Sequence, residues 1–294
     1  MDIVEQLSQA LADRLTKVAP AVVAVMLGSR HVSGILWGPD AVATSEEAVG
    51  EHESTAVRHG GTETGAKLAG RDPATNIAVF RLASPLSGHT LTPAARPPRP
   101  GSLALVAGAD AAGAPTGRLA MIHATGPAWH SMAGGLIDSA IQLDVRLGFD
   151  EGGAVLDASG ALLGMAAAGP RRRGMAIPTA TLARVVPRLL TEGRIPRGYL
   201  GVGLQSVAIG EKYREAAGQA RGAMVLQLAN DSAADRAGIL PGDILLAVDG
   251  HRFGQSRRIP ALMDPDRIGQ TVAVRLLRGA TAMELNVALA ARPG

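Results

Sequence analysis

The run Gly148-Phe149-Asp150-Glu151-Gly152-Gly153-Ala154-Val155-Leu156 restricts the fold of this chain more than any other stretch. Its paired glycines let the backbone turn sharply and pass close to whatever lies opposite. The apolar residues 154–156 and 161–165 then flank Asp157-Ala158-Ser159-Gly160, the pattern of a β-hairpin. Similar short apolar runs recur at 21–27, 33–37, 41–44, 55–58, 66–69 and 77–82, and again at 103–107, 118–124, 140–143 and 174–177. Many short strands at this spacing predict a barrel or a sandwich. The two sets read as two six-stranded halves, with the Pro-rich residues 93–100 where they would be joined.

Two helices frame this β-rich region. Residues 1–18 carry Ile3, Val4, Leu7, Leu11, Leu15 and Val18 at helical spacing, with Asp2 and Glu5 in a capping-box pattern and Pro20 as the stop. This amphipathic helix is expected to dock on the barrel that follows. Residues 179–192 predict a second helix, with Leu182, Val185, Val186, Leu189 and Leu190 on one face. Gly193-Arg194-Ile195-Pro196-Arg197 reads as a linker.

A length of 294 residues allows two domains, and 47% apolar residues predict packed cores rather than disorder. Aromatic residues are only 2%, so the cores must be aliphatic, and a stacking platform for single-stranded nucleic acid is not expected. A net charge of +3 suits solubility better than a nucleic-acid footprint. The absence of cysteine removes disulfides, thiolate chemistry and Cys-based zinc sites. Neither a metal nor another cofactor is expected. No stretch approaches the ~20 apolar residues of a membrane span. The first residues carry Asp2, Glu5 and Asp13 without the apolar run of a signal peptide, so the chain as written is expected in the cytoplasm. Had a leader been removed, the periplasm or cell envelope would be expected instead.

The 148–156 run resembles the nucleophile loop of trypsin-like serine proteases, above all the HtrA/DegP family, whose loop reads Gly-Asn-Ser-Gly-Gly-Pro-Leu-Val before a hairpin. Ile141-Gln142-Leu143-Asp144 is similar to the family's Ile-Gln-Thr-Asp, and Gly174-Met175-Ala176-Ile177-Pro178 to its Gly-Phe-Ala-Ile-Pro. Gly198-Tyr199-Leu200-Gly201-Val202 resembles the opening of the family's PDZ domain, and Leu240-Pro241-Gly242-Asp243-Ile244 its Leu-x-x-Gly-Asp segment. The resemblance implies a mainly β protein: a chymotrypsin-like double β-barrel followed by a C-terminal PDZ domain, with an N-terminal amphipathic helix. The implied boundaries are 1–19 for the helix, 20–192 for the barrels, 193–197 for the linker and 198–294 for the PDZ domain.

A protease of this kind needs a nucleophile, a base and a carboxylate that orients the base. Aligned on the family's motifs, Glu151 stands at the serine, Glu47 at the histidine and Asn76 at the aspartate, with Phe149, Asp150 and Gly152 in the former oxyanion loop. A Glu151 carboxylate is a poor nucleophile toward an amide, and it is expected to settle among the loop's own N–H groups. Paired carboxylates at Glu47 and Glu151, or a cation held with Asn76, are the alternative chemistries at this place.

In the PDZ domain the resemblance implies that an extended peptide adds beside an edge strand, its terminal carboxylate held by backbone N–H groups. Tyr199, Leu200, Gly201 and Val202 form the expected carboxylate loop, Gly203 and Leu204 continue the strand, and a groove helix at about 256–263 presents Arg258 and Leu262. An arginine there is expected to bias binding toward acidic side chains.

Two readings follow. The first is an inactive HtrA-like pseudoprotease that binds C-terminal or unfolded peptide segments through its PDZ domain, alone, as a homo-oligomer or with an active homologue. The second is an active endopeptidase of protein quality control, with a displaced or misaligned site. Arg171-Arg172-Arg173, between two expected strands, reads as a solvated charged loop or a contact for an acidic partner.

Overall fold

A computed structural model describes residues 2–169, 173–253 and 260–291. The chain forms two compact units, residues 1–129 with 136–195, and residues 130–135 with 196–294.

The first unit opens with helix α1 (Ile3–Val18). Its Asp2 cap accepts from the N–H groups of Val4 and Glu5, and Glu5 reaches back to the Asp2 N–H, so the capping box is complete. The apolar stripe is only partly used. Leu15 meets the sheet beside Gly117, whereas Ile3, Val4 and Leu7 remain exposed.

Strands β1 (Val22–Leu27), β2 (Arg30–Gly38), β3 (Ala41–Thr44), β4 (Ser54–His59), β5 (Thr62–Asp72) and β6 (Ile77–Leu82) close a barrel in the order β1-β2-β3-β6-β5-β4. The short helix α2 (Glu46–Val49) interrupts it between β3 and β4. A second barrel follows, built from β7 (Leu103–Ala109), β8 (Pro115–Gly126) and, after the short strands β9 (Trp129–His130) and β10 (Leu136–Ile137), β11 (Ala140–Arg146), β12 (Ala154–Asp157), β13 (Leu162–Ala168) and β14 (Arg173–Pro178). Its order is β11-β14-β13-β12-β7-β8, which read from β7 as β7-β8-β11-β14-β13-β12 repeats the order of the first. The observed double barrel and the N-terminal helix match the fold expected from sequence.

Aliphatic side chains from both barrels share one core. Val22, Ile35, Ile77 and Val79 of the first meet Ala107, Leu156 and Met165 of the second, and helix α3 (Thr179–Glu192) seals them with Leu182, Val185, Val186 and Leu189. With so few aromatic rings, β-branched and leucine side chains supply the burial that drives this packing.

In the second unit, β15 (Gly198–Tyr199) pairs with β22 (Ala290–Ala291). The main sheet runs β16 (Val202–Ala208), β17 (Arg221–Leu228), β18 (Ile244–Val248), β20 (Thr271–Arg278) and β21 (Thr281–Ala288), with β19 (His251–Arg252) paired to β18. Helices α4 (Arg214–Ala217) and α5 (Ala233–Arg236) are short, and Ser232 caps α5 by accepting from the Asp235 N–H. The expected groove helix is replaced, within the described residues, by single 3₁₀ turns at Pro260–Met263 and Pro265–Arg267. A proline early in one run and a second five residues later leave no room for a continuous helix. Arg258 lies outside the described residues, and Leu262, 8% exposed, belongs to the unit's core beside Leu200.

Candidate functional site

Three loops converge between the barrels. From the first barrel come the β3–α2 corner, with Ser45 as the cap of α2, and the β5–β6 turn, where Asn76 sits at φ 57. Asp72 shapes that turn by accepting from the Thr75 hydroxyl at 2.7 Å and the Ala74 N–H at 3.3 Å. The second barrel contributes the loop between β11 and β12, which carries Phe149, Asp150, Glu151 and Gly152.

These loops meet at Ser45, which is fully buried. Its hydroxyl donates to Glu151 Oε1 at 2.7 Å and lies 3.0 Å from Asn76 Oδ1. The Glu47 N–H donates to the same Asn76 Oδ1 at 2.8 Å, which fixes the oxygen of the side-chain amide toward α2. Glu47, Asn76 and Glu151 are therefore brought together, but by way of Ser45 and the Glu47 backbone. The Glu47 side chain itself is exposed. The carboxylate of Glu151 does not fold back onto its own loop, as the sequence suggested; a serine hydroxyl from the facing barrel is the better donor within reach.

The loop's backbone is spent on fixing itself. The Glu151 N–H donates to Gly148 O at 3.1 Å and the Gly152 N–H to Ala166 O at 2.7 Å. Ser33 on β2 clasps the loop from the other barrel: its N–H donates to Phe149 O at 2.8 Å and to Glu151 O at 3.0 Å, and its hydroxyl to Phe149 O at 2.8 Å. The barrels approach so closely here that a Cβ on Gly152, at φ +86, would stand 2.2 Å from Ser33 O and 2.3 Å from Thr44 Oγ1. Phe149 stacks on His31 at 5.2 Å between ring centroids. Asp150, 2% exposed, receives both Nε (3.1 Å) and Nη2 (2.8 Å) of Arg118 on β8. A buried carboxylate needs such a partner.

Beside this cluster Glu46 faces Arg71 at 3.6 Å. Burial, helped by the neighbouring Asp72 and Glu47 carboxylates, pushes the Glu46 carboxyl above its ordinary value despite that guanidinium. Among the described residues, no group of three or more histidines or carboxylates is placed to hold a metal ion. Ser45, Ser33 and Arg118 were not singled out from sequence. Only Ser45 left a signal, as a serine directly before Glu46-Glu47 at a helix start.

In the second unit Leu200 and Gly201 form a loop leading into β16, an edge strand of the main sheet that begins at Val202. The Ala229 N–H donates to Gly201 O and the Ala234 N–H to Leu200 O, both at 2.9 Å. Gly201 adopts φ +84, and a Cβ there would fall 2.1 Å from that of Ser232, so no larger residue fits. Gly203 and Leu204 are exposed along β16, Val202 is partly buried against the core, and Tyr199 pairs with Ala290. Asp243 of the Leu-x-x-Gly-Asp segment is 2% exposed; it accepts from the Leu240 N–H at 2.9 Å and from Arg278 at 2.7 and 2.8 Å. Burial alone would raise its carboxyl, but the Arg278 and Leu240 hydrogen bonds hold it below the usual carboxylate value.

Comparison with known proteins follows these two units. Residues 32–165 match the trypsin-like peptidase domain family and residues 198–289 the PDZ domain family. A probable periplasmic serine endoprotease, DegP-like, of Brucella suis biovar 1 is 29% identical over 272 residues, covering 89% of this chain and 52% of that protein. The HtrA-type protease AlgW in complex with a tripeptide superposes with a TM-score of 0.68 at 27% identity, over 97% of this chain and 98% of that one. The chain belongs to the HtrA/DegP-like family. The DegP-like protein of Marinomonas sp. (strain MWYL1) is 27% identical over 78% of the chain and 50% of its own length. This HtrA/DegP-like chain thus spans about half the length of the curated relatives it matches. At 24% identity, the Yersinia pestis serine endoprotease shares the fold with a TM-score of 0.72, over 96% of this chain and 98% of that one. No described helix of this HtrA/DegP-like chain is long and apolar enough to cross a membrane.

Proposed function

We propose that this HtrA/DegP-like chain is a proteolytically inactive scaffold that binds C-terminal or unfolded peptide segments through its PDZ domain. The observation that carries the reading is the Ser45–Glu151 hydrogen bond. On this reading Glu151 stands where the family's serine attacks, and its carboxylate is already engaged by a hydroxyl that no substrate can reach. Attack by a carboxylate on an amide would give only an unstable mixed anhydride. In a well-studied serine protease, loss of the nucleophile or base alone costs about a millionfold in turnover. The Glu151 N–H, committed to Gly148 O, is withdrawn from any oxyanion, and one such donor is worth about 10²–10³ in rate.

The exposed edge of β16 and the Gly201 loop support peptide capture by strand addition. Tyr199, Leu200, Gly201 and Val202 hold the terminal carboxylate; Gly203 and Leu204 pair with the peptide. The apolar residues left exposed on α1 support self-association or pairing with an active homologue, in the cell envelope where the relatives are described.

The test is incubation with casein alongside labelling by a fluorophosphonate, with Glu151→Ala as control. No cleavage and no label are expected. Cleavage lost in Glu151→Ala would reveal a new mechanism at the old place, and cleavage with labelling indifferent to it would mean a serine elsewhere. For the PDZ domain, a free-acid peptide should bind more tightly than its amidated twin; equal affinity would refute carboxylate capture.

A further inference from the structure

The strand pair β11–β14 carries, on its outer face, a cavity of about 430 Å³ that the family reading leaves unused. Trp129 and Met175 give it an apolar wall; Gln142 and Arg173 give it polar ends. Cross-strand pairing sets Gln142 opposite Met175, so both lean from the barrel to the same side. Gly169 helps keep the space open: a Cβ there would stand 3.4 Å from Met175 Sδ.

Among the described residues, the positive charge beside this cavity is uncompensated. Arg173 has no hydrogen-bond or ion-pair partner for its guanidinium among the described residues, and Arg146 stands directly across from it on β11. Like charges placed opposite one another in a sheet destabilise it. Asp144, the neighbouring carboxylate on β11, is turned to β8, where its Oδ1 accepts the Met121 N–H at 2.8 Å. The positive pair is left facing solvent at the edge of an apolar hollow.

We propose that this cavity binds a small carboxylate with an apolar or aromatic body. The volume falls in the range of small-molecule sites. Trp129 and Met175 would hold the body by stacking and sulfur contact, while the planar guanidinium of Arg173 receives both carboxylate oxygens. Gln142 is within the same wall to donate a further hydrogen bond from its amide.

The probe is 4-phenylbutyrate, titrated into the full chain beside its neutral twin 4-phenylbutyramide. Tryptophan emission reports binding, with Trp37→Phe leaving Trp129 as the only indole, since the chain has Trp 2 in all. Saturable quenching by the acid is expected, at least about tenfold tighter than by the amide, as a charge-assisted pair requires. Arg173→Gln should erase that difference while leaving the fold intact, and Met175→Ala should weaken acid and amide alike. Equal affinity for the two compounds would overturn the proposal. So would an absence of saturable quenching, or acid binding that survives Arg173→Gln, which would place the carboxylate elsewhere, for instance at the Gly201 loop.

Discussion

Substitution of Ser45 by alanine isolates the contact that joins the two barrels at the candidate site. The hydroxyl has two jobs. As cap of α2 it accepts from the Ala48 N–H at a long 3.4 Å, on a helix of only 4 residues, so its loss belongs at the low end of cap effects, about 0.5 kcal/mol. As donor to Glu151 at 2.7 Å it makes a short charge-assisted bond, and removing it strands a half-buried carboxylate, worth about 1–1.5 kcal/mol. The sum is roughly 2 kcal/mol, or about 4–8 °C in Tm for a unit of this size. Ser45→Ala, Glu151→Ala and the double variant, melted in urea, form a cycle whose coupling term should be about 1 kcal/mol. A coupling below about 0.3 kcal/mol would mean that the two side chains do not work as a pair, and the reasoning for a site rebuilt around Ser45 would fail.

Placing a triad at the positions the family resemblance implies, with Glu47→His, Asn76→Asp and Glu151→Ser, is expected to leave casein turnover at least ~100-fold below that of an active HtrA-type enzyme, because the loop's N–H at 151 stays bonded to Gly148 O. Turnover equal to the active enzyme would refute this. The lowered Asp243 carboxyl stabilises the PDZ domain above its ordinary value of 3.8, and the stabilisation is lost as pH falls through the lower folded value. Arg278→Leu should therefore flatten the acid limb of the stability curve, and an unchanged limb would exclude the pair as its source. Glu46 runs the other way: its raised carboxyl favours folding only while protonated, and that advantage disappears as pH rises through the folded value. Glu46→Gln should raise Tm at neutral pH and converge with the parent in mild acid; a drop at neutral pH would show that the Arg71 pairing outweighs burial.

Much of the architecture was legible because local signals and tertiary demand agree. The Asp2 and Glu5 capping box, the 179–192 helix with its leucine and valine face, and the strand 77–82 between Asn76 and Ala83 all read directly. Strand β5 extends to Thr62–Asp72 although its pattern is apolar only at 66–69, since pairing with β4 and β6 rather than burial sets its length. The groove helix, expected at about 256–263 from the PDZ resemblance alone, had no such local support: in its described part Pro260–Met263 form a 3₁₀ turn, and Pro265 opens a second one. At the candidate site, the loops that meet were visible from their motifs. The partners that hold them were not. Ser33, Ser45 and Arg118 lie 116, 106 and 32 positions from the residues they bind, and nothing local announces such pairings.

The repeated strand order of the two barrels carries a mechanical consequence. A molecule made of two similar closed cylinders could come apart in halves, each unfolding on its own schedule. Here the amide of Ser33 is donated outward from one cylinder to the other, and the Ser45 hydroxyl and the close passage at Gly152 bind the same line. Neither half can open without breaking these stitches. Their amides should exchange with solvent only when the whole pair melts, so that the duplicated barrels unfold as one cooperative body riveted at the candidate site.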